Sequence, residues 1–233
     1  MEVNGVDRVR ACPRHALRAA PDAVTARVTV FSRHQDAVLG EPTEPDLAVT
    51  TTAPLAARTA PVRLRRTPYE RDLPHVKHAG TFGLSLRRRR AVLAGYDDVL
   101  FTDRGGRVGE ASISNIAFFA DGHVLWHGAA VLPGITMRLL QRGLAAEGIP
   151  SGHRDLRLPD LTPSLAAFLT NSISPAVPVT SIDDTALTVD PELTALLVKC
   201  YASNPWQPVQ HRAKALPTVF RDTFRPAFGK LTV

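Results

Sequence analysis

The sequence predicts a mixed α+β fold, and three features of the chain support this assignment. Short segments with the alternation typical of β strands recur along most of the 233 residues. Segments with helical spacing of apolar residues interrupt them. Finally, 19 prolines and 15 glycines imply many turns, which suits a loop-rich mixed fold better than a helical bundle.

The first third of the chain predicts a small antiparallel α+β unit over residues 1–80. Residues 6–20 form a candidate helix in which Pro13 lies near the start or introduces a kink. The segment 26–33 alternates as a half-buried strand does. Two further strands are predicted at 46–53 and 62–67.

A larger domain is predicted over residues 81–207, beginning with a helix that Gly95 ends. A meander follows, in which "RGG" and "DG" are typical hairpin turns. The tail, 208–233, is basic and without pattern, and we expect it to be poorly ordered. The predicted elements are helices at 83–94, 135–147 and 191–203, meander strands at 98–103, 107–120 and 123–128, and a strand–turn–strand segment at 166–183.

Composition excludes several classes of site and of protein. The only cysteines are Cys12 and Cys200, so neither a disulfide framework nor a cysteine metal site is expected. The histidines include no HExxH motif, and no metal site is predicted. The amino terminus has no apolar signal core, and no apolar run reaches the length of a membrane span. We therefore expect a cytoplasmic protein without a membrane partner.

Four consecutive arginines, Arg87–Arg90, carry part of the net charge of +6. Residues advance about 100° each along a helix, so these four side chains point all round it. Arg89 and Arg90 lie three and four residues from both Leu86 and Leu93, so at least one leans over the apolar side. That arginine either extends its aliphatic stem along the apolar surface or binds a substrate anion. A nucleic-acid partner is not expected, because a groove reader aligns its basic residues on one surface.

Glu110 is a carboxylate inside a strand of small and apolar residues, "RVGEASISNIAFF". A buried carboxylate is unfavourable unless a cation or hydrogen-bond donor lies beside it. Taken alone, Glu110 either faces solvent on the polar side of the strand or pairs with a nearby arginine.

Two further short motifs are weak when each is taken singly. In "LPGIT", the start of a predicted helix exposes unpaired N–H groups, which makes Ile135 and Thr136 candidates to bind phosphate. The second motif, "TNS", contains Asn171 and Ser172. For either motif alone, an ordinary turn and helix cap is the simpler interpretation.

The order of these pieces resembles the fold-type IV enzymes that use pyridoxal 5′-phosphate (PLP), the class IV aminotransferase family. A lysine in "LPHVKHAG" comes first, then the strand glutamate, then "LPGIT" and then "TNSISPAVPV". The family includes branched-chain and D-amino-acid aminotransferases and aminodeoxychorismate lyase. The "TNSISPAVPV" segment resembles the lyase branch more than the branched-chain enzymes.

The resemblance implies a role for each matching residue. Lys77 forms the Schiff base with PLP and later moves the substrate α-proton. Glu110 faces the pyridine nitrogen and keeps it protonated. The phosphate-binding residues implied are Ile135, Thr136, Asn171 and Ser172.

The resemblance also implies the architecture and the reaction. It predicts a pseudo-barrel β domain with helices, a small amino-terminal domain, the cofactor in the cleft between them, and a homodimer. The implied reaction is amino transfer between an amino acid and a 2-oxo acid, or the aminodeoxychorismate lyase reaction.

The sequence departs from the family pattern at three points. Many relatives carry a tyrosine where this chain has Phe82, and branched-chain enzymes carry a glycine where it has Ile113. The histidine-then-arginine-leucine motif, whose arginine binds the phosphate in relatives, is not found before Lys77, and "RHALRAA" does not match it. The amino-terminal region is therefore interpreted as shortened. A catalytically impaired homologue with a binding or regulatory role remains the alternative hypothesis.

Overall fold

The structure, a computed structural model, describes residues 5–18, 23–33, 40 and 44–206. The chain divides into two compact units. The smaller comprises Met1–Pro54 with Trp206–Val233, and the larger comprises Leu55–Pro205. The predicted tail, 208–233, lies outside the described residues.

The described residues of the smaller unit form a helix and a two-stranded sheet. Helix α1 spans Gly5–Leu17 and contains Pro13 within its length. Strands β1 (Thr25–Phe31) and β2 (Asp46–Thr52) pair antiparallel, as predicted, with Val28 opposite Val49.

The third strand predicted for this unit belongs to the larger one. Strand β3 (Val62–Pro68) pairs in parallel with strands of the main sheet, so the expectation of an antiparallel partner in the small unit is wrong. The alternate residues Val62 and Leu64 are buried in the main core, which explains the placement. The division between units falls after Pro54, whereas the sequence pattern predicted it at residue 80.

The larger unit is built on one curled sheet, which confirms the predicted α+β fold with a barrel-like β domain. Within the described residues its strand order is β5-β4-β3-β10-β9-β6-β7-β8, with β11 paired to β10. The strands after β3 are β4 (Asp98–Thr102), β5 (Val108–Ala111), β6 (Asn115–Ala120), β7 (His123–His127), β8 (Ser151–Arg154), β9 (Ala166–Thr170), β10 (Val177–Ile182) and β11 (Thr185–Ala186).

Three helices accompany this sheet, at the positions that the sequence predicted to within two residues. They are α2 (Phe82–Leu93), α3 (Ile135–Ala146) and α4 (Pro191–Ala202). Alternate residues of a strand enter different clusters: Ile116 and Phe118 pack in one core, and Ala117 packs with α3 and α4 in another. Both faces of the central strands are therefore buried, and a polar side chain there needs a specific partner.

Local turn chemistry shapes the meander. Asp121 and Gly122 both have positive φ, 50° and 76°, and join β6 to β7 in a tight hairpin, as "DG" predicted. The long predicted strand 107–120 is divided instead into β5 and β6, because β5 pairs with β4 and β6 pairs with β9.

The sequence predicted that Arg89 or Arg90 leans over the apolar side of α2, and this prediction is wrong. Helix α2 buries Leu84 and Ala91, whereas Arg89, Arg90 and Leu93 are exposed. The arginines that lean inward are the other two. Arg87 stacks on the Tyr69 ring, 4.0 Å from its centroid, and Arg88 Nε lies 3.9 Å from Asp98 Oδ1.

Candidate active site

Glu110 lies in β5 and is buried, with 7% of its surface exposed. The Arg71 Nε atom lies 3.5 Å from Glu110 Oε1, and the Leu132 amide donates to Oε2 at 3.4 Å. Burial raises the pKa of the Glu110 carboxyl above its ordinary value; Arg71, the Leu132 amide and Lys77 oppose this effect, in that order. Of the two simple interpretations, exposure to solvent is wrong and pairing with an arginine is confirmed.

Lys77 lies in the connection between β3 and α2, and it is exposed. Short-range turns shape this connection: the Val76 amide donates to the Leu73 carbonyl, and the His78 amide donates to the Val76 carbonyl. The Lys77 ammonium is near enough to lower the pKa of Glu110. The structure thus brings an exposed amine to the neighbourhood of a buried carboxylate.

The start of α3 holds Ile135 and Thr136. Gly134 is the N-cap in extended conformation, and within the described residues no side chain caps the first amides of the helix. Thr136 is buried, whereas Ile135 is 76% exposed. Uncapped amides at a helix start, with the positive end of its dipole, favour an anion.

Asn115 fixes the start of α3 against β6. Its Nδ2 atom donates to the Leu132 carbonyl at 2.7 Å, and its Oδ1 atom occupies the space that a side chain on Gly134 would need. The amide of the same Leu132 donates to Glu110. Leu132 therefore links the buried carboxylate to Asn115 and, through Asn115, to the start of α3.

Asn171 and Ser172 lie in the turn between β9 and β10. Asn171 Oδ1 accepts from the amides of Ile173 and Ser174, each at 2.9 Å, and its Nδ2 donates to Ser114 Oγ at 2.9 Å. Ser172 is exposed. The turn is thereby tied to the segment that joins β5 to β6.

Sheet register explains why these distant segments meet. Asn115, at the start of β6, is opposite Thr170, at the end of β9. The β5–β6 connection, the start of α3 and the β9–β10 turn therefore lie at one edge of the sheet. We call this the site edge; it comprises residues 110–115, 132–136 and 170–174.

Two clefts border the site edge. A small one, about 50 Å³, has Glu110 and Arg71 in its wall. A larger one, about 190 Å³, is bounded by Ser114 and Asn171 and by two arginines, Arg58 and Arg88.

The sequence reasoning missed Arg71, although it lies only six residues before Lys77. An arginine in a polar loop is usually exposed, and nothing in its local pattern indicates that it turns inward. Phe82 and Ile113, the two positions at which the sequence departs from the residue found in many relatives, are 78% and 60% exposed.

The described residues contain no group of three or more His, Cys, Asp or Glu side chains able to hold a metal ion. Likewise, none of the helices described is both long and apolar enough to cross a membrane.

The model of the family described as "Amino-transferase class IV" matches residues 6–182. The chain belongs to the class IV aminotransferase family. Members of the family use PLP. The match covers all the residues of the site edge.

A curated relative agrees with this membership. A D-alanine aminotransferase of Listeria monocytogenes serotype 4b (strain F2365) is 39% identical over 83 residues, which are 34% of this chain and 28% of that protein. The matched segment thus spans just over a quarter of the length of that curated relative.

Two solved structures share the fold. An aminotransferase from Brucella abortus bound to PLP has a TM-score of 0.74 at 22% identity, covering 86% of this chain and 76% of that one. A protein from Mycobacterium tuberculosis described as a hypothetical aminotransferase, in its PLP-bound form, has a TM-score of 0.71 at 20% identity, covering 87% and 77%.

The residues of the site edge have the chemical groups that PLP needs. A pyridine nitrogen that carries a proton needs an acceptor, and the incompletely compensated carboxylate of Glu110 provides one. A phosphate needs N–H donors, and the uncapped start of α3 provides them.

Proposed function

We propose that this chain binds PLP at the site edge and catalyses amino transfer between an amino acid and a 2-oxo acid. The observation that carries the proposal is the burial of Glu110 within electrostatic reach of Lys77. PLP enzymes use a lysine amine together with a residue that contacts the pyridine nitrogen, and this pair of side chains provides both.

Each proposed residue has a distinct task. The Lys77 amine would hold the cofactor covalently and would accept the substrate α-proton at Nζ, which requires the neutral amine. The Glu110 carboxylate would accept a hydrogen bond from the ring N–H. When bound, PLP supplies an electron sink that stabilises negative charge at the substrate α-carbon.

The phosphate is assigned to the start of α3 and to the β9–β10 turn. Amides of Ile135 and Thr136, together with the Thr136 hydroxyl, are the donors, and the helix dipole adds favourable charge. The exposed hydroxyl of Ser172, with Asn171 fixing the turn, completes the set.

The substrate is assigned to the larger cleft. Arg58 and Arg88 line it, and this supports a substrate that carries a carboxylate. Each arginine also has an acidic neighbour: Arg58 contacts Asp97 at 2.8 Å, and Arg88 lies 3.9 Å from Asp98.

The second candidate is the aminodeoxychorismate lyase reaction, which releases pyruvate. The segment "TNSISPAVPV" supports it, because this segment resembles the lyase branch of the family more than the branched-chain enzymes. Both reactions need the same lysine and carboxylate, and they differ in the fate of the substrate carbanion.

We further propose that the protein is a cytoplasmic homodimer. Exposed apolar residues on α2, Phe82 at 78% and Leu93 at 75%, support a covered face. The free thiols of Cys12 and Cys200 are consistent with a reducing compartment. Light scattering after size exclusion tests the dimer, and a monomeric mass at micromolar concentration contradicts it.

Single-turnover spectroscopy tests the reaction. The PLP-loaded protein is mixed with a panel of L- and D-amino acids, and conversion of the visible band to the pyridoxamine form is followed. Aminodeoxychorismate is tested separately, with pyruvate as the readout. A transaminase converts with at least one amino acid and recovers with a 2-oxo acid, whereas a lyase releases pyruvate. If PLP binds and neither change occurs, the catalytically impaired alternative is supported.

A further inference from the structure

Arg71 and Glu110 form an ion pair that is almost wholly withdrawn from water. Each side chain is 9% exposed, and Nε lies 3.5 Å from Oε1. The two residues come from different segments, since Arg71 follows β3 and Glu110 lies in β5. The β5 strand and the connection that carries Lys77 are therefore electrostatically coupled through this pair.

The two partners respond differently to burial. A guanidinium does not lose its proton in a protein, whereas a carboxyl group in a site of low polarity can take one up. Burial favours the protonated form of Glu110, and Arg71 is the strongest opposing influence. Arg71 is thus the strongest influence in the structure that favours the ionised carboxylate of Glu110.

The other charged groups beside the small cleft are engaged elsewhere. Asp103 contacts Arg107 Nε at 2.5 Å, and Glu70 accepts from the Arg104 amide at 3.0 Å. Within the described part of the chain, the remaining cation that acts on Glu110 is Lys77, and its effect is weaker than that of Arg71.

We propose that Arg71 is a positioning residue that keeps Glu110 ionised and directed, so that Glu110 can hold the proton on the ring nitrogen of PLP. The inference rests on the proposed function for its role in catalysis. The claim that Arg71 favours the ionised form of Glu110 concerns two side chains of this protein and applies equally without cofactor. Arg71 acts only through Glu110 and needs no contact with the cofactor.

The first test uses the cofactor-free protein. Infrared difference spectra detect the C=O stretch of a protonated carboxyl group, and Glu110→Gln identifies the signal of Glu110. We expect the pH midpoint of that signal to be lowest in the wild type, higher in Arg71→Lys and highest in Arg71→Met. Equal midpoints in the wild type and Arg71→Met would overturn the proposal, and Arg71→Gln, which also removes the charge, provides the same comparison if Arg71→Met does not fold.

The second test uses the PLP-loaded protein and a double-mutant cycle. We expect Arg71→Met and Glu110→Gln each to slow exchange of the substrate α-proton at least tenfold, and the double variant to be no slower than the worse single one. Partial recovery in Arg71→Lys distinguishes a charge effect from lost packing. Additive losses would overturn the proposal.

The two tests distinguish a failure of this inference from a failure of the proposed function. If the wild type forms no visible band with PLP, the proposed function fails, while the infrared midpoints still test the role of Arg71. If the band forms normally and the midpoints coincide, only the inference on Arg71 fails.

Discussion

Asn115 and Gly134 are in such close contact that the side-chain amide oxygen of Asn115 leaves no room for a Cβ on Gly134. Asn115 begins β6 and Gly134 caps α3, so the contact fixes a helix start to the edge of the sheet. The proposed phosphate donors follow directly after this glycine.

The contact predicts that Gly134→Ala is harmful in two ways. An added methyl group must displace Asn115 or the helix start, and overpacking of this kind typically costs about 1–3 kcal/mol. We expect that loss in the free energy of unfolding, measured with urea, and at least tenfold weaker PLP binding by titration.

Gly152→Ala is the matched control for this change. A Cβ at Gly152, in β8, meets no atom within 4 Å, so little change is expected. Equal PLP affinity in the wild type and Gly134→Ala would contradict the assignment of the phosphate to the start of α3.

The hydrogen bonds of Asn171 lead to a second prediction, which concerns the β9–β10 turn. Asn171→Ala leaves the partly buried amides of Ile173 and Ser174 without their acceptor, and the cost for the two together is about 1–3 kcal/mol, since one such group costs that much when fully buried. We expect destabilisation by urea unfolding and weaker PLP binding, because the turn carries Ser172.

Asn171→Asp separates the two hydrogen-bonding functions of this side chain. It retains an acceptor for both amides but cannot donate to Ser114. Its stability should therefore lie between those of the wild type and Asn171→Ala. A loss as large as that of the alanine variant would show that the Ser114 contact dominates.

His127 predicts a loss of stability in acid. Its side chain is 3% exposed, and burial, reinforced by His153, lowers its pKa from 6.5 to about 4. Since the folded state disfavours the charged ring, stability falls as the pH drops from about 6.5 towards 4, by up to about 3 kcal/mol. The raised pKa values of Glu110 and Asp98 act in the opposite direction, so the comparison must be made between variants.

Urea unfolding at pH 7 and pH 4.5 measures this contribution. His127→Gln does not titrate and should lose less stability between the two pH values than the wild type. His123→Gln, at an exposed position of the β6–β7 hairpin, should behave as the wild type does. Identical losses in wild type and His127→Gln would contradict the prediction.

The sequence predicted the elements whose signals are local. Three helices of the larger unit and the "DG" hairpin follow from spacing and turn chemistry, and all lie where expected. Strand β3 was misassigned because its parallel partners, β4 and β10, lie 30 or more residues away, and no local pattern specifies such pairing. Strand β8 was not predicted, because its exposed sequence "SGHR" lacks the apolar alternation of a half-buried strand.

The site shows the same division. Glu110 was recognisable because a carboxylate interrupts an apolar strand. Arg71 was not, since its burial depends on how the β3–α2 connection folds back over β5. The inward arginines of α2 were also misjudged: the helix packs through Leu84 and Ala91, and the stripe of Leu86 and Leu93 is not its buried face.

The attachment of PLP to Lys77 is the central claim, and chemical trapping tests it most directly. The chain contains four lysines, at positions 77, 199, 214 and 230. Borohydride reduction of the PLP-loaded protein makes the attachment permanent, and peptide mass mapping then locates it. We predict the phosphopyridoxyl group on Lys77 at one equivalent per chain, with none trapped in Lys77→Ala. Trapping at another lysine, or undiminished trapping in Lys77→Ala, would contradict the account.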